Sequence, residues 1–410
     1  MRATTLLRKI IGISLLHVLS VRCEGDDILA EVRPKWRKPR CGVCGKRRPQ
    51  YDQQQPSRWR HLSSGCSRIL LEYAPRRVSC PTCGVRREQV PWAGLKSRFT
   101  TPFEEMCAYL CRATDKTTVT AVLGIAWATV GRITERVVAR KLDESRLEGL
   151  RRIGVDEFSY RRRHRYMTVI VDHDRRRVVW AAPGSQYETL RDFFRALGPE
   201  RCAKIKTVTV DMNGGFKKAI AEALPHAEVV YDRFHVQRLV SNALDLVRKQ
   251  QLREIRGTPE GKALFRSRFA LLKNPWDLSP EERRKLKEIE KENAPLFRAY
   301  LLKESFAQAL DFKQPWKAKR AITDWLSWAS RSRLAPFVKV ARTIRKHLGG
   351  ILAYIQERFT NGIVEGMNTR LRMIARRAFG FHGPEPLIAM AFLCCGGIEL
   401  DPPLPVPTRM

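Results

Sequence analysis

Two Cys-x-x-Cys pairs, Cys41/Cys44 and Cys80/Cys83, constrain this chain more tightly than any other feature of its sequence. Each pair is followed at once by glycine, Gly45 and Gly84, which lets the backbone fold back and turn its amides toward the thiolate sulfurs. That is the geometry of a tetrahedral Zn²⁺ site. Two such knuckles separated by 35 residues predict a zinc ribbon over 38–95, closed by the metal rather than by a large apolar core. The cysteines number eleven, an odd count in a long chain, so metal binding in a reducing compartment accounts for these four better than a disulfide framework. Cys66 and His61 could substitute as ligands, but each stands alone and reads as a packing or surface residue.

The rest of the chain needs a polyanionic partner. Lys and Arg number 77 against 42 Asp and Glu, a net charge of +35 in 410 residues, which excludes an enzyme of ordinary charge balance. Such self-repulsion is most easily tolerated opposite DNA, RNA or an anionic membrane. No stretch approaches the roughly 20 uninterrupted apolar residues of a spanning helix, so nucleic acid is the expected partner and a membrane is not. Residues 31–100 alone carry seventeen basic and four acidic side chains. At the N-terminus, 6–21 loosely resembles a signal peptide, but His17 and Ser20 interrupt it and no small-x-small cleavage site follows. The expectation for 1–37 is instead a strand pair, 18–22 and 28–32, joined at Glu24-Gly25-Asp26-Asp27. With free cysteines and no leader, the expected location is the cytoplasm.

After the basic module, apolar residues recur at helical spacing over 103–111 and 117–123, Gly124 breaks the pattern, and 126–140 resumes it with Val130, Ile133, Val137 and Val138 on one face. This predicts a helix-turn-helix domain over 98–146. The opposite face of its second helix carries Thr129, Arg132, Arg136 and Arg140, residue types suited to phosphate and base-edge contact in a major groove. From 151 onward the pattern changes to strands at 153–156, 166–172 and 178–182, an antiparallel meander, followed by helix 188–197, strand 206–211, helix 214–224 and strand 227–231. Alternation of this kind predicts a mixed α/β core with parallel members. Residues 235–345 then read as polar and helical, 351–359 and 364–377 as further helices, and 400–410 as a Pro-rich disordered tail.

In such a core Asp156 and Asp211 end two strands, where ligands of open α/β sheets collect, and Glu365 opens a late helix after Asn361-Gly362. Three carboxylates without His or Cys partners prefer hard cations, Mg²⁺ or Mn²⁺. Two such ions about 3.5–4 Å apart can activate a water or a 3′-hydroxyl and stabilise the leaving oxygen of a phosphodiester. Asp172 and Asp174 flank a hairpin turn and read as local hydrogen-bonding residues. Arg370, Arg372, Arg376 and Arg377, on the helix after Glu365, are candidates for phosphate contact.

The segments Gly154-Val155-Asp156-Glu157, Val210-Asp211-Met212, Asp232-Arg233-Phe234-His235 and Asn361-Gly362-Ile363-Val364-Glu365-Gly366-Met367-Asn368, with Arg376-Arg377-Ala378-Phe379-Gly380-Phe381, resemble the DDE transposases of the ISL3 group of bacterial insertion sequences. The resemblance spans 38–393. It implies an RNase H-like α/β domain over 150–395 with Asp156, Asp211 and Glu365 as catalytic triad and Mg²⁺ ligands, and His235 near the active site. The 154 positions between Asp211 and Glu365 would hold a helical insertion at about 240–345. It further implies that the zinc ribbon and helix-turn-helix recognise terminal inverted repeats in double-stranded DNA, and that the enzyme cleaves and joins DNA, target DNA included. Synapsis of two ends points to a homodimer or larger assembly. Two other readings stay open on the residues: a non-enzymatic DNA-binding regulator, and an RNase H-like nuclease without strand transfer.

Overall fold

The computed structural model describes residues 2–161, 165–212, 214–255, 257–258, 261, 267–357, 362–378, 381 and 383–404. Asn361, Phe379 and Gly380 of the sequence motifs and 405–410 of the expected tail lie outside the described residues. The chain divides into two compact units, Met1–Asp143 with Ile374–Met410, and Glu144–Met373.

The first unit opens with helix α1 (Ala3–Ile11), where a strand pair alone was expected, because Leu7 and Ile11 recur one turn apart and bury. The predicted pair follows as β1 (Leu16–Glu24) and β2 (Asp27–Pro34), antiparallel about the expected turn. Next come β3 (Gln50–Gln53), β4 (Ser57–Arg60), β5 (Ile69–Tyr73), β6 (Arg76–Cys80) and β7 (Gly84–Arg87). β1, β2, β5 and β4 form one sheet in that order, with β2 parallel to β5, and β3, β6 and β7 form another. The first sheet therefore crosses the boundary expected at residue 37, since the strand pair and the 57–73 segment share a core of Leu7, Ile11, Leu16, Trp59, Leu71 and Trp92.

Three helices follow, α2 (Thr101–Ala113), α3 (Lys116–Leu123) and α4 (Trp127–Lys141), with Val130, Ile133, Val137 and Val138 buried as the periodicity predicts. Thr100 caps α2 by accepting from the Phe103 amide, and Asp115 caps α3 by accepting from the Thr118 amide. Arg60 of β4 donates to the Leu123 and Gly124 carbonyls at 2.7 Å each, satisfying the C-terminal end of α3 from the neighbouring sheet.

The second unit is built on β8 (Arg152–Arg161), β9 (Arg165–Asp172), β10 (Arg177–Pro183), β11 (Thr207–Val210) and β12 (Glu228–Tyr231), in the order β10-β9-β8-β11-β12. The predicted meander is the antiparallel half, and β8, β11 and β12 run parallel. α5 (Tyr187–Leu197) and α6 (Gly214–Ala223) supply the crossovers, burying Phe193, Phe194, Phe216 and Ile220 in one apolar cluster with Val155, Val208 and Val210. This is an RNase H-like mixed sheet. At the hairpin after β9, Asp172 Oδ1 accepts from the Asp174 and Arg175 amides at 2.9 and 3.3 Å, the local role expected of it.

The helical insertion contains α7 (Arg233–Glu254), α8 (Arg268–Leu272), α9 (Pro280–Glu292), α10 (Ala294–Asp311), α11 (Pro315–Arg331), α12 (Ala335–Lys346) and α13 (Leu348–Glu357). α7 runs unbroken through residue 240, so the insertion has no edge there. Gly350 brings α13 against the sheet: a Cβ at that position would lie 2.5 Å from the Tyr231 ring and 2.7 Å from the Val229 carbonyl. α14 (Gly362–Arg377) and α15 (Pro384–Cys395) complete the chain, α15 packing on α4 and α2 within the first unit.

Candidate active site

The parallel pairing of β8 with β11 sets Val155 opposite Val210, so the next residue on each strand is a carboxylate, Asp156 and Asp211. Asp211 follows the last residue of β11 as expected, whereas Asp156 lies within β8, which runs on to Arg161 because its pairing with β9 continues past it. Asp156 Oδ1 accepts from the Glu157 amide at 2.7 Å, and Asp211 Oδ1 accepts from the Met212 amide at 2.6 Å, which orients both carboxylates. Burial raises the Asp156 pKa above the ordinary aspartate value and the neighbouring Asp211 charge acts in the same direction, against the Glu157 amide, His235 and Asn368, which lower it.

Two further residues converge here. Asp232 caps α7 by accepting from the Phe234 amide, and this places His235 in the first turn with Nδ1 3.8 Å from Asp211 Oδ1 and 3.6 Å from Asp232 Oδ2. Asn368 of α14 donates from Nδ2 to Asp156 Oδ2 at 2.5 Å, and its Oδ1 is buried without a hydrogen-bond partner. Sequence reasoning assigned Asn368 no role. The available signal was its position three residues after Glu365, one helical turn away on the same helix. Glu365 falls within α14, and its side chain lies outside what is described. Two neighbouring carboxylates and an unpartnered amide oxygen, with no thiol or ion-paired Lys or Arg on them among the described residues, form an oxygen donor set that fits a hard divalent ion.

The zinc-site cysteines gather at the tips of the second sheet. Cys41, Cys44, Cys80 and Cys83 place their sulfurs within 4.8 Å of one another, and the Cys44–Cys80 separation is 3.7 Å. A tetrahedron with Zn–S bonds of about 2.3 Å has edges of about 3.8 Å, so the donor set fits Zn²⁺. Gly45 and Gly84 take φ of +69° and +73°, the left-handed conformation that the knuckle turns require. Burial raises the Cys80 thiol, but the Cys83 and Thr82 amides and Arg48 outweigh it and bring the pKa down to about 6. Cys83 is pushed up to about 12 by burial and by the sulfurs around it, the mutual opposition of thiolates that a shared cation relieves. His61 is not a ligand: its Nδ1 bonds Thr100 Oγ1 at 2.8 Å, away from the four sulfurs.

The basic face of the helix-turn-helix divides. Arg132 is exposed and donates to the half-buried Thr129 Oγ1 at 3.3 Å. Arg136 and Arg140 are in addition paired within the unit, with about a third of each side chain left exposed. Arg136 Nη2 lies 2.7 Å from Glu104 Oε1, and Arg140 reaches Glu104 Oε2 at 2.9 Å and Glu105 Oε1 at 3.0 Å. The Glu104 side chain is only 1% exposed, and a buried charge of that kind must be paired. Arg377 is similarly committed, donating to the Cys111 and Arg112 carbonyls at the end of α2, whereas Arg370, Arg372 and Arg376 are exposed and make no ion pair among the described residues. Glu104→Ala should therefore cost about 1–3 kcal/mol of unfolding stability in the first unit, read as a lower denaturant midpoint, because it removes the buried partner of Arg136 and one of the two carboxylates that hold Arg140.

An RNase H-like sheet with paired carboxylates, a four-cysteine metal cluster and a helix-turn-helix together define a DNA-handling enzyme of the transposase class. Comparison with known sequences agrees. Residues 153–391 match the ISL3 DDE family model described as "Transposase". Residues 88–138 match the helix-turn-helix domain of transposase family ISL3, and 37–83 match the zinc-finger of transposase IS204/IS1001/IS1096/IS1165. The chain is 38% identical to the transposase for insertion sequence element IS1557 of Mycobacterium tuberculosis, over 97% of this chain and 96% of the relative. It is 32% identical to the transposase for insertion sequence element IS1001 of Bordetella parapertussis, over 88% and 90%. The chain belongs to the ISL3 family of transposases. Among the described residues, no helix is long and apolar enough to cross a membrane.

Proposed function

We propose that this transposase binds the terminal inverted repeats of its own insertion sequence through the zinc ribbon and helix-turn-helix, and that Asp156, Asp211 and Glu365 hold Mg²⁺ or Mn²⁺ at the reaction centre. The observation that carries the reading is the register of β8 and β11, which puts Asp156 and Asp211 side by side in a cluster with His235 and Asn368. Glu365 is assigned to the same centre because it precedes Asn368 by one helical turn in the sequence. When bound, the divalent ions activate a water or 3′-hydroxyl and stabilise the leaving oxygen. Asn368 holds the Asp156 carboxylate in place, and His235 sits beside Asp211 where it can hold or pass a proton.

Two displacements follow in order. Water oxygen bonds the phosphorus at the transposon end and the 3′ oxygen leaves as a free hydroxyl; that 3′ oxygen then bonds a target phosphorus and the target's own 3′ oxygen leaves. No protein–DNA bond forms. Two ends joined in concert favour a homodimer or larger synaptic complex, working at the nucleoid in the bacterial cytoplasm. Half-buried Thr129 and exposed Arg132, Arg370, Arg372 and Arg376 are the proposed DNA contacts.

The test is incubation of the full-length chain with terminal-repeat duplex, a circular target and Mg²⁺. Joined products support the reading, cutting without joining favours a plain nuclease, and binding with neither favours a regulator. Binding itself should weaken by about 10³–10⁵ between 50 and 200 mM salt if about 6–10 phosphates are contacted. A flat salt dependence in fluorescence anisotropy would contradict a role for the +35 charge in DNA binding.

A further inference from the structure

We propose that a cavity between α7 and α10 takes an unpaired nucleobase from the DNA strand at the reaction centre. The proposal rests on the reading that this centre lies at Asp156 and Asp211. The cavity has a volume of about 310 Å³ and an apolar floor, with Val240 1% and Phe306 0% exposed. Gln237, Arg238 and Ser241 line one side, and none makes a side-chain hydrogen bond or ion pair among the described residues. Lys303 and Glu304 on the other side are matched to each other at 2.6 Å, so the wall there carries no net charge.

Phe234, also lining the cavity, is 51% exposed although it is a large apolar ring in a helix's first turn. Its ring lies 5.8 Å from that of His235, whose Nδ1 is 3.8 Å from Asp211 Oδ1. Two consecutive residues thus connect the cavity to the carboxylates. The segment that supplies Leu272 and Asn274 to the cavity also carries Phe269 and Trp276, which are 62% and 73% exposed, with Lys273 between them.

These features select a base over a bare phosphate. A phosphate site needs converging cations, and an apolar floor would be wasted on it. A nucleobase has an apolar face that stacks on an aromatic ring and an edge of mixed donors and acceptors. Gln237 offers both, Ser241 offers both and Arg238 offers donors. Exposed aromatics interspersed with basic side chains are the usual surface for single-stranded nucleic acid.

The full-length chain, without added Mg²⁺, is titrated with two probes of one sequence, a fully paired duplex and a duplex with a short unpaired tail carrying 5-iodouracil. Wild type should prefer the tailed probe by about tenfold. Phe234→Ala and Ser241→Trp, the second filling the cavity, should each abolish that preference while leaving affinity for the paired duplex unchanged. Ultraviolet crosslinking should attach the tail to a peptide containing Phe234. No preference in wild type, a preference that survives both variants, equal losses for both probes, or crosslinks confined to other regions would overturn the proposal. Cleavage by Asp211→Asn is scored separately with Mg²⁺: retained cleavage defeats the placement of the reaction centre, while lost cleavage with no tail preference defeats the cavity proposal alone.

Discussion

Asp156→Ala should reduce Mg²⁺-dependent joining of transposon ends to target DNA by at least about 10³-fold while leaving binding to a terminal-repeat duplex within about twofold. The large loss follows from the position of Asp156. It lies on β8, the middle strand of the five-stranded sheet, its pKa is raised by burial, and it is tied to both the Glu157 amide and the Asn368 side chain. Such a carboxylate stays charged most easily against a cation, and removing it leaves Asp211 without its neighbour on β8. The small effect on binding follows because the proposed recognition residues, Thr129 and Arg132, belong to the first unit and Asp156 to the second. Glu365→Ala should behave in the same way. Asn368→Ala should cost less, about ten- to a hundredfold, because it removes a group that positions Asp156 and leaves the carboxylate itself. Gel-resolved strand-transfer products and anisotropy on the same preparations separate the two effects. Transposition that survives Asp156→Ala would mean the chemistry resides elsewhere.

Much of this was legible in the sequence because the relevant signals are local. The β8–β9–β10 meander and the α3–α4 pair were readable from apolar spacing and a breaking glycine, and both formed within a few residues of the expected limits. Cys41, Cys44, Cys80 and Cys83 were readable because two-residue spacing with a following glycine has few other uses. The ion pairs of Arg136 and Arg140 were not legible, for a complementary reason. Helical periodicity says which face a residue occupies and nothing about what the neighbouring helix presents to it. Glu104 and Glu105 sit more than thirty positions away, and only the packing of α2 on α4 brings them to those guanidinium groups. Asn368 was missed on the same principle, since its contact to Asp156 spans 212 positions. N-terminal α1 was overlooked because a basic, apolar opening fits several readings until its burial against Trp59 and Trp92 is known.

Substituting Cys80→Ser should unfold the second sheet of the first unit and weaken terminal-repeat binding by at least about a hundredfold. The apolar cluster around the cysteines is too small to hold β3, β6 and β7 together. Its buried members are Cys41, Val78 and Cys80, and two of those three are ligands. Structural zinc supplies about 10–16 kcal/mol of apparent binding free energy in small domains, far more than one valine can replace. The ligand loss also exposes Arg48, whose guanidinium is raised chiefly by its hydrogen bond to the Cys80 sulfur. Binding suffers because this module belongs to the segment 31–100, with seventeen basic side chains against four acidic. Hydrogen exchange should show protection lost across β3, β6 and β7 while β8, β11 and β12 of the second unit keep theirs. Acid should mimic the substitution: thiols must lose their protons to bind, so zinc is retained at neutral pH and released as the pH falls through the range where the thiolates reprotonate. Metal content measured by atomic emission across that range tests the pH arm. A Cys80→Ser protein that retains one equivalent of zinc and full protection of β6 and β7 would show that the sheet is held by something other than the four-cysteine site.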